Sequence, residues 1–223
     1  MTSTATEADS GIYRRQISLL YKNQTFAVFS TAITATALLV YLSLNMPWSV
    51  LAPWGYLFAV VLVFRLVMTR QFLEAGRQGK TDYLSAERIY AAGVVMTAVV
   101  WASLYYYMLP LLPVTQKLFL TTLVFGLVSA SHVTMGFRQS PYRLYSAIIL
   151  GTAVYTVYIS DFEGSGKLAF FMFLFSCFIF SAPWMFYRNT KLLLQVEEDS
   201  VRQKHRLLMQ REQANLENQA KSD

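Results

Sequence analysis

The first residues with a capacity for chemistry are two ionisable side chains that interrupt long apolar stretches. His132 lies in the stretch SASHVTMGF, and Arg65 lies in VLVFRLVMTR. Ionisable side chains are costly to bury in a membrane, and those found there often mark a functional site. These two positions are therefore the starting point for any functional interpretation of the sequence.

His132 is open to several interpretations. It can act as a proton sensor, as a haem or metal ligand, or as a polar contact to a bound signal, with Ser129 one helical turn away. The alternative is a histidine that is hydrogen-bonded to a neighbouring helix. A single histidine cannot form a metal site, and Cys177 is the only cysteine, so we predict neither a metal nor a cofactor.

Arg65 and two aromatic residues complete the set of binding candidates. Arg65 lies little more than one turn before Arg70, so its side chain can extend to the inner lipid headgroups. The alternative is that it pairs with an anionic headgroup or an acidic signal. Trp101 and Tyr105 either belong to the outer aromatic belt or line a pocket that is open to the outer leaflet. The predicted ligand-binding candidates are His132, Ser129, Arg65, Trp101 and Tyr105.

A catalytic site is not apparent in the sequence. It has no phosphate-binding glycine loop, no cluster of histidines with carboxylates, and no nucleophile beside an obvious base. We therefore expect that this chain is not itself an enzyme.

The composition is that of a membrane protein that crosses the bilayer several times. Of the 223 residues, 55% are hydrophobic, 15% are aromatic and only 14% are charged. Such a chain is too apolar for an ordinary soluble domain. The formal net charge of +6 comes from lysines and arginines that lie beside the ends of apolar runs. Membrane topology explains this distribution, so we exclude nucleic acid as a partner.

Six apolar runs are each close to the roughly 20 residues that cross a bilayer as a helix. They predict an all-α membrane protein of six transmembrane helices, arranged as three hairpins. Residues 1–24 form a cytoplasmic lead with a candidate interfacial helix, 25–188 form the bundle, and 189–223 form a cytoplasmic helix. The predicted spans are Thr25–Leu44, Leu51–Thr69, Ile89–Leu109, Leu118–Gly136, Tyr142–Ser160 and Leu168–Tyr187.

The connections between the spans alternate in charge. Arginines and lysines precede the first span and fill the second and fourth connections, whereas the other connections contain only Lys117 and Lys167. Positively charged loops stay in the cytoplasm, so both termini are predicted to be cytoplasmic. The outer loops are short, so a signal must arrive from the bilayer, from a pocket between helices or from a partner.

A stripe of small residues runs along the fourth span. Thr122, Gly126, Ala130 and Thr134 recur every four residues. Such a stripe allows a neighbouring helix to approach closely. It predicts that the fourth span is central in the bundle.

The last span is predicted to transmit a signal into the cytoplasm. Pro183 should kink it near its cytoplasmic end. Beyond the span, Leu194, Val201 and Leu208 repeat at heptad spacing. This broken stripe predicts a weak coiled coil and a homodimer; the alternative is a weakly ordered tail.

The final segment carries a family resemblance. REQANLENQAKSD resembles the junction that precedes the phosphoacceptor domain of bacterial sensor histidine kinases. ISLLYKNQ and WASLYYYMLP are similar to parts of the six-span sensory regions of such kinases. The resemblance implies the sensory module of a bacterial, hybrid two-component kinase in the inner membrane, which detects a small hydrophobic or membrane-derived signal.

The sequence also departs from that family. It contains no histidine box, and the surroundings of His205, RQKHRLL, lack the acidic residue and proline of that motif. We therefore expect a fragment of a longer kinase; a naturally short relative is the alternative. Similar modules precede diguanylate cyclases, and a small transporter or channel, or a membrane protein that recruits partners through its tail, are further alternatives.

Overall fold

The computed structural model describes residues 2–160 and 162–222, and this part of the chain is helical with no strand. Side chains are described at 11–160, 162–181, 184, 185, 187–197, 200, 203, 204 and 206–212. A short 3-10 turn follows the third helix. The helices are α1 (Thr2–Ser43), α2 (Trp48–Arg77), α3 (Tyr83–Met108), α4 (Val114–Met135), α5 (Gln139–Tyr158) and α6 (Ser165–Ser222).

The helix boundaries follow from local sequence chemistry. Proline stands at the N-cap of α2 and of α4, where its missing N–H group costs nothing. Asp82 caps α3, and its carboxylate accepts hydrogen bonds from the backbone N–H groups of Leu84 and Ser85 at 3.0 and 3.3 Å. The Ser85 hydroxyl also donates to Asp82, and this bond above all holds the pKa of that carboxyl below its usual value.

Four helical segments in the described part are long and apolar enough to cross a membrane. They are Gly11–Ser43, Trp48–Arg77, Tyr83–Leu111 and Val114–Met135. The prediction of an all-α protein with membrane-spanning helices is confirmed to that extent. The fifth and sixth spans remain predictions, because α5 carries many polar residues and the apolar part of α6, Ser165–Ser181, is short.

Large apolar side chains are exposed on α1 and α6, as expected of helices that contact lipid. Phe170, Phe171 and Phe178 on α6 are each more than half exposed, at 58%, 66% and 68%. Phe26 and Ile33 on α1 are each 69% exposed. Monomeric soluble proteins rarely expose apolar surface of this kind.

The most buried element is α3, not α4. It packs against α2 and α5, and α4 packs against α5. The predicted stripe on the fourth span is covered only at Thr134, which is buried; Thr122, Gly126 and Ala130 are exposed, and a Cβ on Gly126 would meet nothing within 4 Å. Spacing identifies a face of a helix, but it does not say what covers that face.

The predicted interfacial helix at the N-terminus is not a separate element. It continues without interruption into the first span as α1, because no glycine or proline follows Gly11 before the end of the helix. Tyr21 is buried, stacks on Phe72 at 3.9 Å between ring centroids, and donates a hydrogen bond to the Ala86 carbonyl at 2.9 Å. This segment therefore packs onto α2 and α3.

The chain divides into two compact units, Tyr13–Tyr187 and Met1–Ile12 with Arg188–Asp223. In the second unit Leu194 is buried, whereas Leu193, Leu207 and Leu208 are exposed. Two residues predicted to transmit a signal, Pro183 and Val201, lie outside the described side chains.

Candidate functional site

Arg65 lies inside the helical bundle and not at its surface. Only 1% of the residue is exposed. The expectation that its side chain extends to the lipid headgroups is therefore wrong. The reason is Gly93 on α3, where a Cβ would stand only 3.1 Å from Cγ of Arg65. The missing side chain at position 93 creates the space that the aliphatic part of Arg65 occupies.

Polar groups from three helices hold Arg65 in place. Its Nη1 group donates a hydrogen bond to Oγ1 of Thr97 at 3.2 Å, and Thr97 in turn donates to the Gly93 carbonyl at 2.8 Å. The Arg65 carbonyl accepts hydrogen bonds from Nε2 of Gln24 at 3.1 Å and from Oγ1 of Thr69 at 2.8 Å. The backbone and one side of the guanidinium group are thus fixed by α1, α2 and α3.

The other side of the guanidinium group has no hydrogen-bond partner. Both Nε and Nη2 of Arg65 are buried and unpaired. No carboxylate in the described part of the chain forms an ion pair with it; the groups within electrostatic range are Tyr90 and Tyr145. Arginine stays protonated in proteins, so this is a buried cation with unsatisfied donors. Such a group is costly unless an anion or another acceptor meets it.

A cavity of about 380 Å³ adjoins Arg65. This volume lies within the range of small-molecule sites in proteins. The buried residues that line it come from all of the first five helices and include Arg65, Thr97 and Tyr145.

The mouth of the cavity lies between α1 and α4. The residues there are exposed on the surface of the bundle: Phe26 and Ser30 on α1, and Ala130 and Val133 on α4. In a membrane this surface faces lipid, so the cavity opens sideways to the bilayer.

Comparisons with protein-family models, with curated proteins and with solved structures find no match to this chain. The interpretation of the cavity therefore depends on its own chemistry. That chemistry combines a cation with free donors, several hydroxyl groups and apolar walls, which suits a molecule with one charged end and one apolar end.

His132 and Ser129 are not among the residues that line this cavity. The half-buried His132 ring lies edge-on to Tyr142 on α5, with 5.2 Å between ring centroids. Ser129 is exposed and donates a hydrogen bond to the Phe125 carbonyl at 2.9 Å. His132 therefore contacts a neighbouring helix, and the structure does not bring it together with Arg65.

Trp101 and Tyr105 are core residues. Trp101 is fully buried and packs edge-on against Phe58 at 4.7 Å between ring centroids. The Tyr105 hydroxyl is hydrogen-bonded to Oγ1 of Thr121 at 2.8 Å. These contacts join α3 to α2 and to α4. Neither side chain is exposed toward the outer leaflet, contrary to the pocket that the sequence suggested as an alternative.

The sequence interpretation missed most of the residues around Arg65. None of Gln24, Gly93, Thr97 and Tyr145 was predicted as a binding residue, although all four are buried and surround the guanidinium group or its backbone. One signal was present: Gly93 and Thr97 are one turn apart, the spacing of small residues that lets helices approach closely. Among the described residues no group of three or more histidines, cysteines or carboxylates is placed to hold a metal ion.

Proposed function

We propose that this chain is the membrane sensory and signal-transmitting module of a bacterial two-component sensor histidine kinase in the inner membrane. It detects a small hydrophobic or membrane-derived molecule and passes the signal through α6 to a cytoplasmic output domain. The observation that carries the proposal is the cavity beside the unpaired guanidinium group of Arg65, within a bundle whose last helix continues far beyond its apolar part.

Six membrane spans with both termini in the cytoplasm are part of the proposal. The four long apolar helices supply the first four spans, and α5 and the apolar part of α6 supply the other two. The alternation of basic and nearly uncharged connections supports this orientation. The continuous course of α6 then connects the bilayer to the cytoplasm within one element.

A chain of contacts supports communication between the cavity and α6. Tyr145 lines the cavity, and Tyr142 precedes it by one turn on α5. The Tyr142 hydroxyl donates a long hydrogen bond of 3.4 Å to the Ile179 carbonyl on α6. A molecule that moves Tyr145 would move Tyr142 with it, because both belong to one rigid helix. Binding would in this way shift the relative populations of two arrangements of α6.

Apolar residues on α6 support pairing with a second copy of the chain. Leu193, Val196 and Leu207 are 70%, 67% and 60% exposed. Their spacing of three and then eleven residues places them on one seam of a heptad pattern. We propose this seam in place of the stripe of Leu194, Val201 and Leu208, because Leu194 is buried. Ser200 and Gln203 interrupt that seam, which favours a weak coiled coil over a permanent one.

Disulfide crosslinking in membranes tests this proposal. Cys177 is exposed and is replaced by serine first, and single cysteines are then placed in turn along residues 190–211. We expect the highest crosslinking yields at Leu193, Val196 and Leu207, with minima on the opposite side of the helix. A tail that stays monomeric at every position would contradict the proposal.

A further inference from the structure

We infer that the cavity binds the oxyanion of a single-chain amphiphile, a carboxylate or a phosphate, at the Nε and Nη2 edge of Arg65. This inference rests on the proposed function, because it names the chemical class of the signal that the sensory site would detect. The three observations behind it are the burial of Arg65, its two unpaired donors and the adjoining cavity.

The geometry of the guanidinium group explains the preference for an oxyanion. The Nε–H bond and the neighbouring Nη2–H bond run parallel along one edge of the guanidinium plane, and two oxygens of a carboxylate or phosphate accept both. The third nitrogen, Nη1, already donates a hydrogen bond to Oγ1 of Thr97. The Nε and Nη2 edge is therefore the one suited to bidentate binding; both nitrogens are buried, so an oxyanion reaches them only when a side chain of the cavity wall moves aside.

Three other polar groups of the cavity are already hydrogen-bonded within their own helices. Thr31, Ser131 and Thr134 line the cavity, and their hydroxyls donate to the backbone carbonyls one turn earlier, at 2.8, 2.7 and 3.1 Å. These hydroxyl groups have used their hydrogen atoms and have only lone pairs left. Of the residues that line the cavity, Arg65 is the one that carries a charge, so a neutral hydroxyl at the end of a ligand would gain less from this site than an oxyanion.

The mouth of the cavity suggests where the apolar chain of the ligand lies. Phe26 and Val133 are 69% and 64% exposed and flank the opening. From Ala130, which also lines the cavity, the exposed surface of α4 continues past Gly126, where a Cβ would meet nothing within 4 Å. An alkyl chain can leave the cavity along this shallow surface. The volume of about 380 Å³ suits one chain and a small headgroup better than a diacyl lipid.

Equilibrium binding of radiolabelled dodecanoate to the full chain in phosphatidylcholine nanodiscs tests the inference. We expect saturable binding to one site, competition by dodecyl phosphate, and at least tenfold weaker competition by dodecanol. Arg65→Gln should weaken dodecanoate binding at least tenfold, whereas Arg70→Gln, which changes an exposed arginine of the same helix, should leave it unchanged. Equal binding of dodecanol and dodecanoate, or unchanged binding by Arg65→Gln, would overturn the inference.

A second set of nanodiscs distinguishes the two sources of the oxyanion. If added phosphatidylglycerol displaces dodecanoate, the site accepts the headgroup of a bilayer lipid. If it does not, the site takes a free amphiphile. Displacement would keep the oxyanion at Arg65 but overturn the assignment to a single-chain amphiphile, and the absence of dodecanoate binding in either lipid would overturn the whole inference.

Two further variants keep the test decisive if Arg65→Gln does not fold. Arg65→Lys retains the charge but loses the parallel donors, and Gly93→Ala displaces the stem of Arg65. Each should weaken dodecanoate binding several-fold, and wild-type affinity in both variants would overturn the inference.

The crosslinking test of α6 is independent of this inference, because it is measured without any added ligand. Crosslinks along α6 without dodecanoate binding would contradict the oxyanion site but not the proposed sensory function.

Discussion

Gly93 of α3 lies directly against the side chain of Arg65, so that a Cβ at position 93 would stand 3.1 Å from Arg65 Cγ. A buried arginine in an apolar bundle thus depends on the absence of a side chain on the facing helix. This relationship explains why the guanidinium group lies inside the bundle, and it can be tested without any ligand.

Gly93→Ala should destabilise the bundle although alanine is the better helix former. The helix propensity of alanine favours the folded state by about 1 kcal/mol, but overpacking against Arg65 costs about 1–3 kcal/mol. We therefore expect no gain and a net loss of up to about 2 kcal/mol in the free energy of unfolding, measured by titration with a denaturing detergent. The matched control is Gly126→Ala, where a Cβ meets nothing within 4 Å. An equal gain of stability in both variants would contradict the close contact.

Much of the helical architecture could be predicted from the sequence, because the lengths of apolar runs and the placement of charges are local properties. α2 illustrates the remaining error. The apolar run predicted Leu51–Thr69, whereas the helix extends over Trp48–Arg77. The helix continues through the charged residues that follow the apolar run. It ends at its C-cap, Gln78, which is followed by Gly79 with a positive φ of 68°.

The site could be predicted only in part. Arg65 stands out because a charge inside an apolar run is unusual, but its neighbours come from α1, α3 and α5, and no local pattern records which helices meet. His132 attracted attention for the same reason, yet it faces Tyr142 instead of the cavity. Tertiary packing decides which of two polar residues borders the cavity, and packing is not a local property of the sequence.

Glu87 joins three segments at one end of the bundle. Its carboxylate accepts hydrogen bonds from Nε of Arg138, between α4 and α5, at 2.8 Å, and from the Tyr13 hydroxyl on α1, also at 2.8 Å. Both side chains of the ion pair are largely buried, with 26% of Arg138 and 15% of Glu87 exposed. Because solvent screens this pair only partly, Glu87→Gln should lower the free energy of unfolding by about 1.5–3 kcal/mol.

Tyr13→Phe removes only one of these hydrogen bonds and should cost about 1 kcal/mol in the same detergent titration. Glu74→Gln is the control, because Glu74 is exposed on α2. Equal effects at positions 74 and 87 would show that the cluster around Glu87 does not stabilise the fold.

The proposed topology predicts a pattern of cysteine labelling in intact cells. In a Cys177→Ser background, cysteines at Asn45 and Glu163 should react with a membrane-impermeant maleimide, because both positions are exposed in connections assigned to the outer side. Cysteines at Gln78 and Gln203 should react only after the cells are opened. Labelling of Gln203 in intact cells would place the last helix outside and contradict the assigned direction of the signal.

The most direct measurement of the central claim compares the crosslinking profile of α6 in membranes between the wild-type chain and Arg65→Gln. Arg70→Gln is the control for the loss of a positive charge on α2. If the Arg65 cavity controls the last helix, the relative yields at Leu193, Val196 and Leu207 should change at least twofold in Arg65→Gln and not in Arg70→Gln. An unchanged profile in a folded Arg65→Gln chain would contradict the claim that this site and the last helix are coupled.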